Sequence, residues 1–557
     1  MGRRLGAVRR GAAVTTTVGH AVMATLRAYG VDTVFGIPGT HNLELYRPLA
    51  ELGIRPVTTR HEQGAGYAAD GWSQRTGLPG VVVTTSGPGL LNALSAAGTA
   101  FAESRPMILI APGPERGREF ADAGTLHETK DQLGAASAIV ERAVRAQSPA
   151  EAVEAVHDAF ALFATGRPRP VYLELPLDLL AEDAGLPDDA LVARESAPRP
   201  AIDGGLVAAA AALLREAADP VILAGGGSRG ACEELRALAE RLGAPVVTTL
   251  NAKGVLDERH ELSLGANLRL AAARDRARDA DVLLVVGSKL GEAELWVDRL
   301  EARGRVIRVD VLESQLQRNQ QAELGIVGDA RAVLAVLAAE LGEGQPRDAA
   351  AGVAATLERV RAESFELSAE NTAIAEAIAA ALPAEAIVAT DSSQIAYWGL
   401  VNALRASEPG TALYMATYAT LGYGLPAALG ARVASPERPT FAVVGDGALM
   451  FSVQELMTIV EQRLDVTVIV VDNGGYAEIK QNELDAGIAP VGVDLAQPDW
   501  ARLADAFGGT GRRVADAAGL GEAVDAALAA GGLQLIHIEQ AAFDAGPRTA
   551  DDAKEQG

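Results

Sequence analysis

Asp446 and Asn473 are the residues whose type and spacing invite chemistry. Each follows an apolar run: Thr440–Val444 leads into Gly445-Asp446-Gly447, and Val466–Val471 leads into Asp472-Asn473, with 25 residues between Gly447 and Asn473. Two buried strands joined by a helix form one βαβ unit, and parallel neighbours deliver their carboxyl ends to one edge, where ligands of open α/β sheets sit. Asp446 then offers a carboxylate across a crevice from the amide carbonyl of Asn473, and Gly447 and Gly475 permit close backbone approach. Oxygen ligands beside a phosphate-sized gap suit Mg²⁺, which is held by a carboxylate together with phosphate oxygens.

The elements that must position this pair alternate strand and helix along the whole chain. A helix over 19–29 leads to a strand at 33–36 that breaks at Ile37-Pro38-Gly39, and apolar strands recur at 81–85, 107–111 and 170–176. A second series runs through 220–227, 245–249, 281–287 and 305–310, and a third opens at 386–391, contains the Asp446 unit and ends at 534–539. This pattern predicts an α/β protein of three doubly wound parallel-sheet domains. The expected limits are 14–183, 205–345 and 365–545, with a Pro, Asp and Ala-rich linker over 184–204 and tails at 1–13 (disordered) and 546–557. Gly225-Gly226-Gly227 precedes a helix but lacks the G-x-G-x-x-G spacing, so close packing is its expected role.

A chain of 557 residues is too long for one core and fits three. Its 49% hydrophobic and 22% charged residues exclude a disordered class, and a net charge of −24 disfavours nucleic acid as a partner. The single cysteine, Cys232, excludes internal disulfides and fits a reducing cytoplasm. The basic start lacks the apolar run of a signal peptide, and no stretch approaches the length of a membrane span.

Gly445-Asp446-Gly447, a spacer of this length and a terminal Asn resemble the thiamin diphosphate motif of the acetolactate synthase and 2-oxo acid decarboxylase superfamily. The three domains follow that family's order: pyrimidine-binding, central and diphosphate-binding. The resemblance implies that Asp446, Asn473 and the carbonyl of Gly475 bind Mg²⁺ and that thiamin diphosphate is the cofactor. It places Gly445, Gly447, Ala448, Tyr476, Ser392, Ser393 and Gln394 beside the diphosphate. One departure is Asp472, where the family usually has Asn. The segment Thr59–Gly71 resembles the family's catalytic glutamate segment and implies that Glu62 activates the aminopyrimidine. The loop Thr84–Asn92 follows at the family's distance. Leu421 matches the aliphatic wedge beneath the bent cofactor, and Ala419 matches the residue whose carbonyl accepts from its amino group. In the family the site is completed by two subunits, which implies a homodimer or homotetramer. FAD in the central domain is possible on this resemblance but not indicated by the residues.

His41 and His127 stand where relatives place residues that reach the reacting carbon, and an imidazole relays protons near neutrality. Their loops, with 476–485 and 490–494, look most like the 5-guanidino-2-oxopentanoate decarboxylases, and the acidic residues there suit a cationic substrate tail. The expected reaction is non-oxidative decarboxylation of a 2-oxo acid to an aldehyde and CO₂. The alternatives are carboligation of acetolactate synthase type and a catalytically silent nucleotide-binding homologue, the latter disfavoured by the presence of Glu62, Asp446 and Asn473.

Overall fold

The computed structural model describes residues 16–342 and 346–546. The tail expected over 1–13, and all but the first residue of that expected over 546–557, lie outside the described residues.

Among the described residues, eighteen strands form three six-stranded sheets in which every named pairing is parallel. The first sheet holds β1 (Thr33–Gly36), β2 (Arg55–Thr58), β3 (Gly80–Val83), β4 (Met107–Gly113), β5 (Arg142–Arg145) and β6 (Val171–Pro176) in the order β2-β1-β3-β4-β6-β5. The middle sheet holds β7 (Pro220–Ala224), β8 (Val246–Thr248), β9 (Ser263–Gly265), β10 (Val282–Val286), β11 (Arg305–Asp310) and β12 (Leu324–Val327) in the order β12-β11-β10-β7-β8-β9. The third holds β13 (Ile387–Thr390), β14 (Ala412–Leu413), β15 (Thr440–Gly445), β16 (Val466–Asp472), β17 (Thr510–Val514) and β18 (Leu533–Glu539) in the order β14-β13-β15-β16-β18-β17. The first and third sheets thus share one winding, while the middle one has the dinucleotide-fold order. Helices cover both faces, which is why central strands such as β4, β15 and β16 are buried along their whole length.

In the third sheet the winding reverses between β13 and β15, and their carboxyl ends open a crevice there. Register sets Gly445 opposite Val471, so Asp446 and Asn473 emerge at the same edge. The connection between β15 and β16 is two short helices, Asp446–Leu449 and Glu455–Glu461, where the sequence pattern predicted one. The residues between them run through tight turns, with Phe451, Ser452 and Glu455 each donating a backbone hydrogen bond three residues back. Glu455 is withdrawn from solvent and its carboxylate instead accepts from the backbone N–H groups of Arg60 and His61 and from Thr458 Oγ1.

First and third domains pack through helix Glu62–Thr76 against helix Gly424–Ala434. Contact is backbone to backbone: a Cβ on Gly71 would lie 2.1 Å from the carbonyl oxygen of Ala427, and one on Gly430 would lie 1.8 Å from that of Ala68. Beside this contact Arg105 donates to Asp70 at 2.6 Å, and Tyr423 Oη donates to the same carboxylate at 2.7 Å, all buried. Removing one member of such a buried pair costs about 3–5 kcal/mol. The long helix Ala350–Ala381 breaks at Ser368, with Val353 and Val360 in the middle core and Ile374 and Ile378 in the third. Among the described residues no helix is long and apolar enough to cross a membrane.

Candidate active site

Three loops meet at the carboxyl ends of β13, β15 and β16 to form a cleft of about 300 Å³. It is lined by Ser392, Ser393 and Gln394 after β13, by Gly445, Asp446, Gly447 and Ala448 at the end of β15, and by Asn473, Gly475, Tyr476 and Glu478 after β16. Ala419 and Leu421 close one wall. Their loop is pinned by Asp391, a buried carboxylate that accepts from the N–H groups of Gly422 and Gly424 at 3.1 and 2.8 Å. Burial pushes the Asp391 carboxyl up to about 6 against the pull of these donors.

Asp446 is 1% exposed, and its Oδ2 has no hydrogen-bond partner. Burial, and then the charge of Asp472, push its carboxyl up to about 6. Asn473 Nδ2 donates to Gln394 Oε1 at 3.2 Å, which turns the amide oxygen toward the carbonyl of Gly475 at 3.1 Å and Asp446 Oδ1 at 3.2 Å. None of these three oxygens carries a hydrogen to share. Rotating the amide lets Nδ2 donate to the Gly475 carbonyl at 3.1 Å and to Asp446 Oδ1 at 3.2 Å but sets its oxygen 3.2 Å from Oε1 of Gln394, whose Nε2 is already committed to Glu478 Oε2 at 3.0 Å, so each orientation leaves an oxygen facing an oxygen. A small cation resolves the conflict, since ligands of an octahedral Mg²⁺ at about 2.1 Å lie about 3 Å from one another. The cleft lining contains no Lys, Arg or His, so a diphosphate beside Asp446 needs a metal ion to offset the charge. The residues present therefore fit Mg²⁺ and a diphosphate.

Glycine is required where these loops touch. Gly475 has φ +143, and a Cβ there would lie 2.1 Å from the carbonyl of Val493, to which the N–H of Tyr476 donates. A Cβ on Gly447 would lie 2.9 Å from the Tyr476 ring. Asp472, the departure from Asn-Asn, faces away from this site: its carboxylate accepts from Trp500 Nε1 and the N–H of Gly474 and lies 3.2 Å from His537 Nε2.

Glu62, His41 and His127 form a second cluster, on the first domain around the loop 84–92, and none of them lines the Asp446 cleft. Glu62 opens helix Glu62–Thr76, and its Oε2 accepts from Asn92 Nδ2 at 3.0 Å. His41 Nδ1 is 2.6 Å from Ser86 Oγ, and His127 Nδ1 is 3.3 Å from the same hydroxyl and 3.4 Å from Thr85 Oγ1. Burial, and then His127, hold His41 below the usual imidazole range. Gly87, at φ +60, lets the two loops close, because a Cβ there would lie 2.3 Å from the carbonyl of His127.

Sequence reasoning missed three things: the role of Asp391, Ser86 as the link between the histidines, and the donors that converge on Glu478. Only the acidity of 476–485 signalled the last. A larger cavity of about 350 Å³ lies away from both clusters, at the carboxyl edge of the middle sheet, and includes Gly226, Gly227 and Lys289. The glycine run there packs on its neighbour loop, a Cβ on Gly225 lying 2.3 Å from the carbonyl of Gly287.

Comparison with known proteins agrees with these features. Three family models match: thiamine pyrophosphate enzyme, N-terminal TPP binding domain, over residues 16–135; central domain, over 207–337; and C-terminal TPP binding domain, over 391–538. The probable 2-ketoarginine decarboxylase AruI of Pseudomonas aeruginosa is 40% identical over 532 residues, covering 95% of this chain and 94% of that one. The acetolactate synthase large subunit of Parasynechococcus marenigrum is 32% identical over 92% of this chain and 85% of its own. The isozyme 1 large subunit of acetolactate synthase from Escherichia coli is 31% identical over 82% of each. A chain with this fold, this oxygen-lined cleft and these relatives belongs to the thiamine pyrophosphate enzyme family.

Proposed function

We propose that the protein is a thiamin diphosphate- and Mg²⁺-dependent decarboxylase that converts a 2-oxo acid to an aldehyde and CO₂ in the cytoplasm. The observation that carries the reading is the convergence of the buried, unpartnered Asp446 Oδ2, the Asn473 amide and the Gly475 carbonyl in a cleft without a basic side chain. Identity favours decarboxylation over carboligation, at 40% to a probable 2-ketoarginine decarboxylase against 32% to an acetolactate synthase large subunit.

Bound thiamin diphosphate supplies a carbon nucleophile and an electron sink for the carbon that loses CO₂. Asp446, Asn473 and the Gly475 carbonyl would hold Mg²⁺, and Ser392, Ser393, Gln394, Gly445, Gly447, Ala448 and Tyr476 would line the diphosphate. Leu421 and Ala419, on one wall of the cleft, would support the cofactor between its two ends. Glu62 keeps Oε1 free to hold a proton at the pyrimidine nitrogen, because Asn92 occupies Oε2. His41, kept neutral by its surroundings, receives a proton through Ser86 Oγ from His127 and passes it to the leaving product.

Glu62 and Asp446 lie in different clusters of one chain, and by the family resemblance the complete site would take one cluster from each of two copies in a homodimer, or in a tetramer of two such pairs. Exposed Leu91, Met450 and Phe451, on the segments beside the two clusters, supply apolar surface for that contact. Removal of metal and cofactor tests the reading. Protein stripped with EDTA and desalted is expected to release no CO₂ from 2-oxo acids, and thiamin diphosphate and Mg²⁺ together, but neither alone, to restore it. Turnover by the stripped protein would refute the assignment.

A further inference from the structure

We propose that Glu478 selects a cationic side chain on the substrate, an inference that rests on the decarboxylase reading above. Glu478 lies in the first turn of helix Ala477–Asp485 and lines the cleft. Its Oε2 accepts three hydrogen bonds, from Gln394 Nε2 at 3.0 Å, Tyr397 Oη at 3.2 Å and Trp398 Nε1 at 3.2 Å. Three donors on one oxygen fix the direction of the carboxylate. The donors are themselves braced, Trp398 packing edge-on against Tyr397 and Trp296 with ring centroids 5.6 and 5.1 Å away.

Among the described residues this carboxylate has no counter-ion. No Lys, Arg or His lies within ion-pair distance of Glu478 among the described residues, and none lines the cleft. The neighbouring acids are occupied: Glu483 accepts from the N–H of Val491, Asp485 from Gln481 Nε2, and Asp494 pairs with Lys480 at 2.7 Å. Asp446 serves the metal. The acidic segment therefore reduces to one carboxylate in the cleft, with Oε1 unbonded and the Tyr397 ring beside it. A guanidinium or ammonium group at the end of a 2-oxo acid completes the arrangement by donating to Oε1 and lying against the aromatic ring. A neutral chain leaves the charge desolvated and unpaired, which is how a site built for a polar group rejects its apolar analogue.

A purely structural role, tying helix Ala477–Asp485 to the 394–398 segment, makes a different prediction. In Glu478→Gln the amide oxygen still accepts the three donors, while a neutral NH₂ replaces the cleft-facing oxygen. We expect the ratio of kcat/KM for 5-guanidino-2-oxopentanoate to that for 2-oxopentanoate to fall about 100-fold, mostly through KM. On the unmodified protein with thiamin diphosphate and Mg²⁺, calorimetry is expected to show 4-guanidinobutanoate binding at least about 10-fold more tightly than pentanoate. Equal losses on both substrates in Glu478→Gln, or equal binding of the two carboxylates, would overturn the role of Glu478. No CO₂ from either oxo acid with the unmodified protein would instead overturn the decarboxylase reading itself.

Discussion

Replacing Glu62 with glutamine is expected to slow decarboxylation about 10³-fold while leaving thiamin diphosphate bound. Glu62 begins a helix, where the macrodipole favours an anion, and Asn92 orients it through Oε2. Glutamine preserves the shape and, through its own oxygen, the bond from Asn92, so the first domain keeps its structure. What it removes, on the role proposed for Glu62, is the atom that holds and returns a proton at the pyrimidine ring. Turnover assays paired with titration of cofactor binding check this. Near-normal turnover in Glu62→Gln would show that the proton is handled elsewhere.

Asp446→Ala is expected to lose the cofactor itself, with Mg²⁺-dependent affinity for thiamin diphosphate falling by more than about 100-fold and turnover reaching background. No other charged group lines the cleft except Glu478, whose Oε2 is committed to three donors. The same carboxylate has an opposite effect on the apoprotein. Its folded-state value of about 6 lies above the 3.8 of an unperturbed aspartate. The unfolded chain therefore releases this proton first, and the group's contribution to apoprotein stability is lost as pH rises from about 4 through about 6. Asp446→Asn, which keeps the shape without the charge, should melt at or above the temperature of the unmodified apoprotein at pH 7 to 8. The two dead variants also test the shared site. Random re-association of Glu62→Gln and Asp446→Ala subunits places one intact site in each mixed dimer, so about a quarter of the original activity should return. No recovery from reassembled mixed dimers would place both residues in the same site of one subunit.

Much of this is legible in the sequence itself. Continuous apolar runs such as Val466–Val471 mark strands buried on both faces, and the spacing from Gly445 to Asn473 places Asp446 and Asn473 at one sheet edge. The glycines at 447 and 475 mark close approach because the loops that meet there leave no room for a Cβ. What the sequence hid depends on where side chains from distant segments converge. Nothing local distinguishes Glu478 from Glu483 and Asp485 on the same short helix; the donors that single it out come from residues 394–398. Asp391 reads as an ordinary strand-end aspartate until the glycine N–H groups at 422 and 424 close over it. The single expected helix after Asp446 became two because Glu455 is drawn to the backbone of Arg60 and His61, nearly four hundred residues earlier.

The reaction itself is tested most directly by product analysis on protein reconstituted with thiamin diphosphate and Mg²⁺, offering 5-guanidino-2-oxopentanoate and pyruvate separately. The account predicts CO₂ and 4-guanidinobutanal in equal amounts from the guanidino acid, and little product from pyruvate. Acetolactate from pyruvate as the dominant product, with the guanidino acid unconsumed, would contradict it and assign the chain to the carboligases.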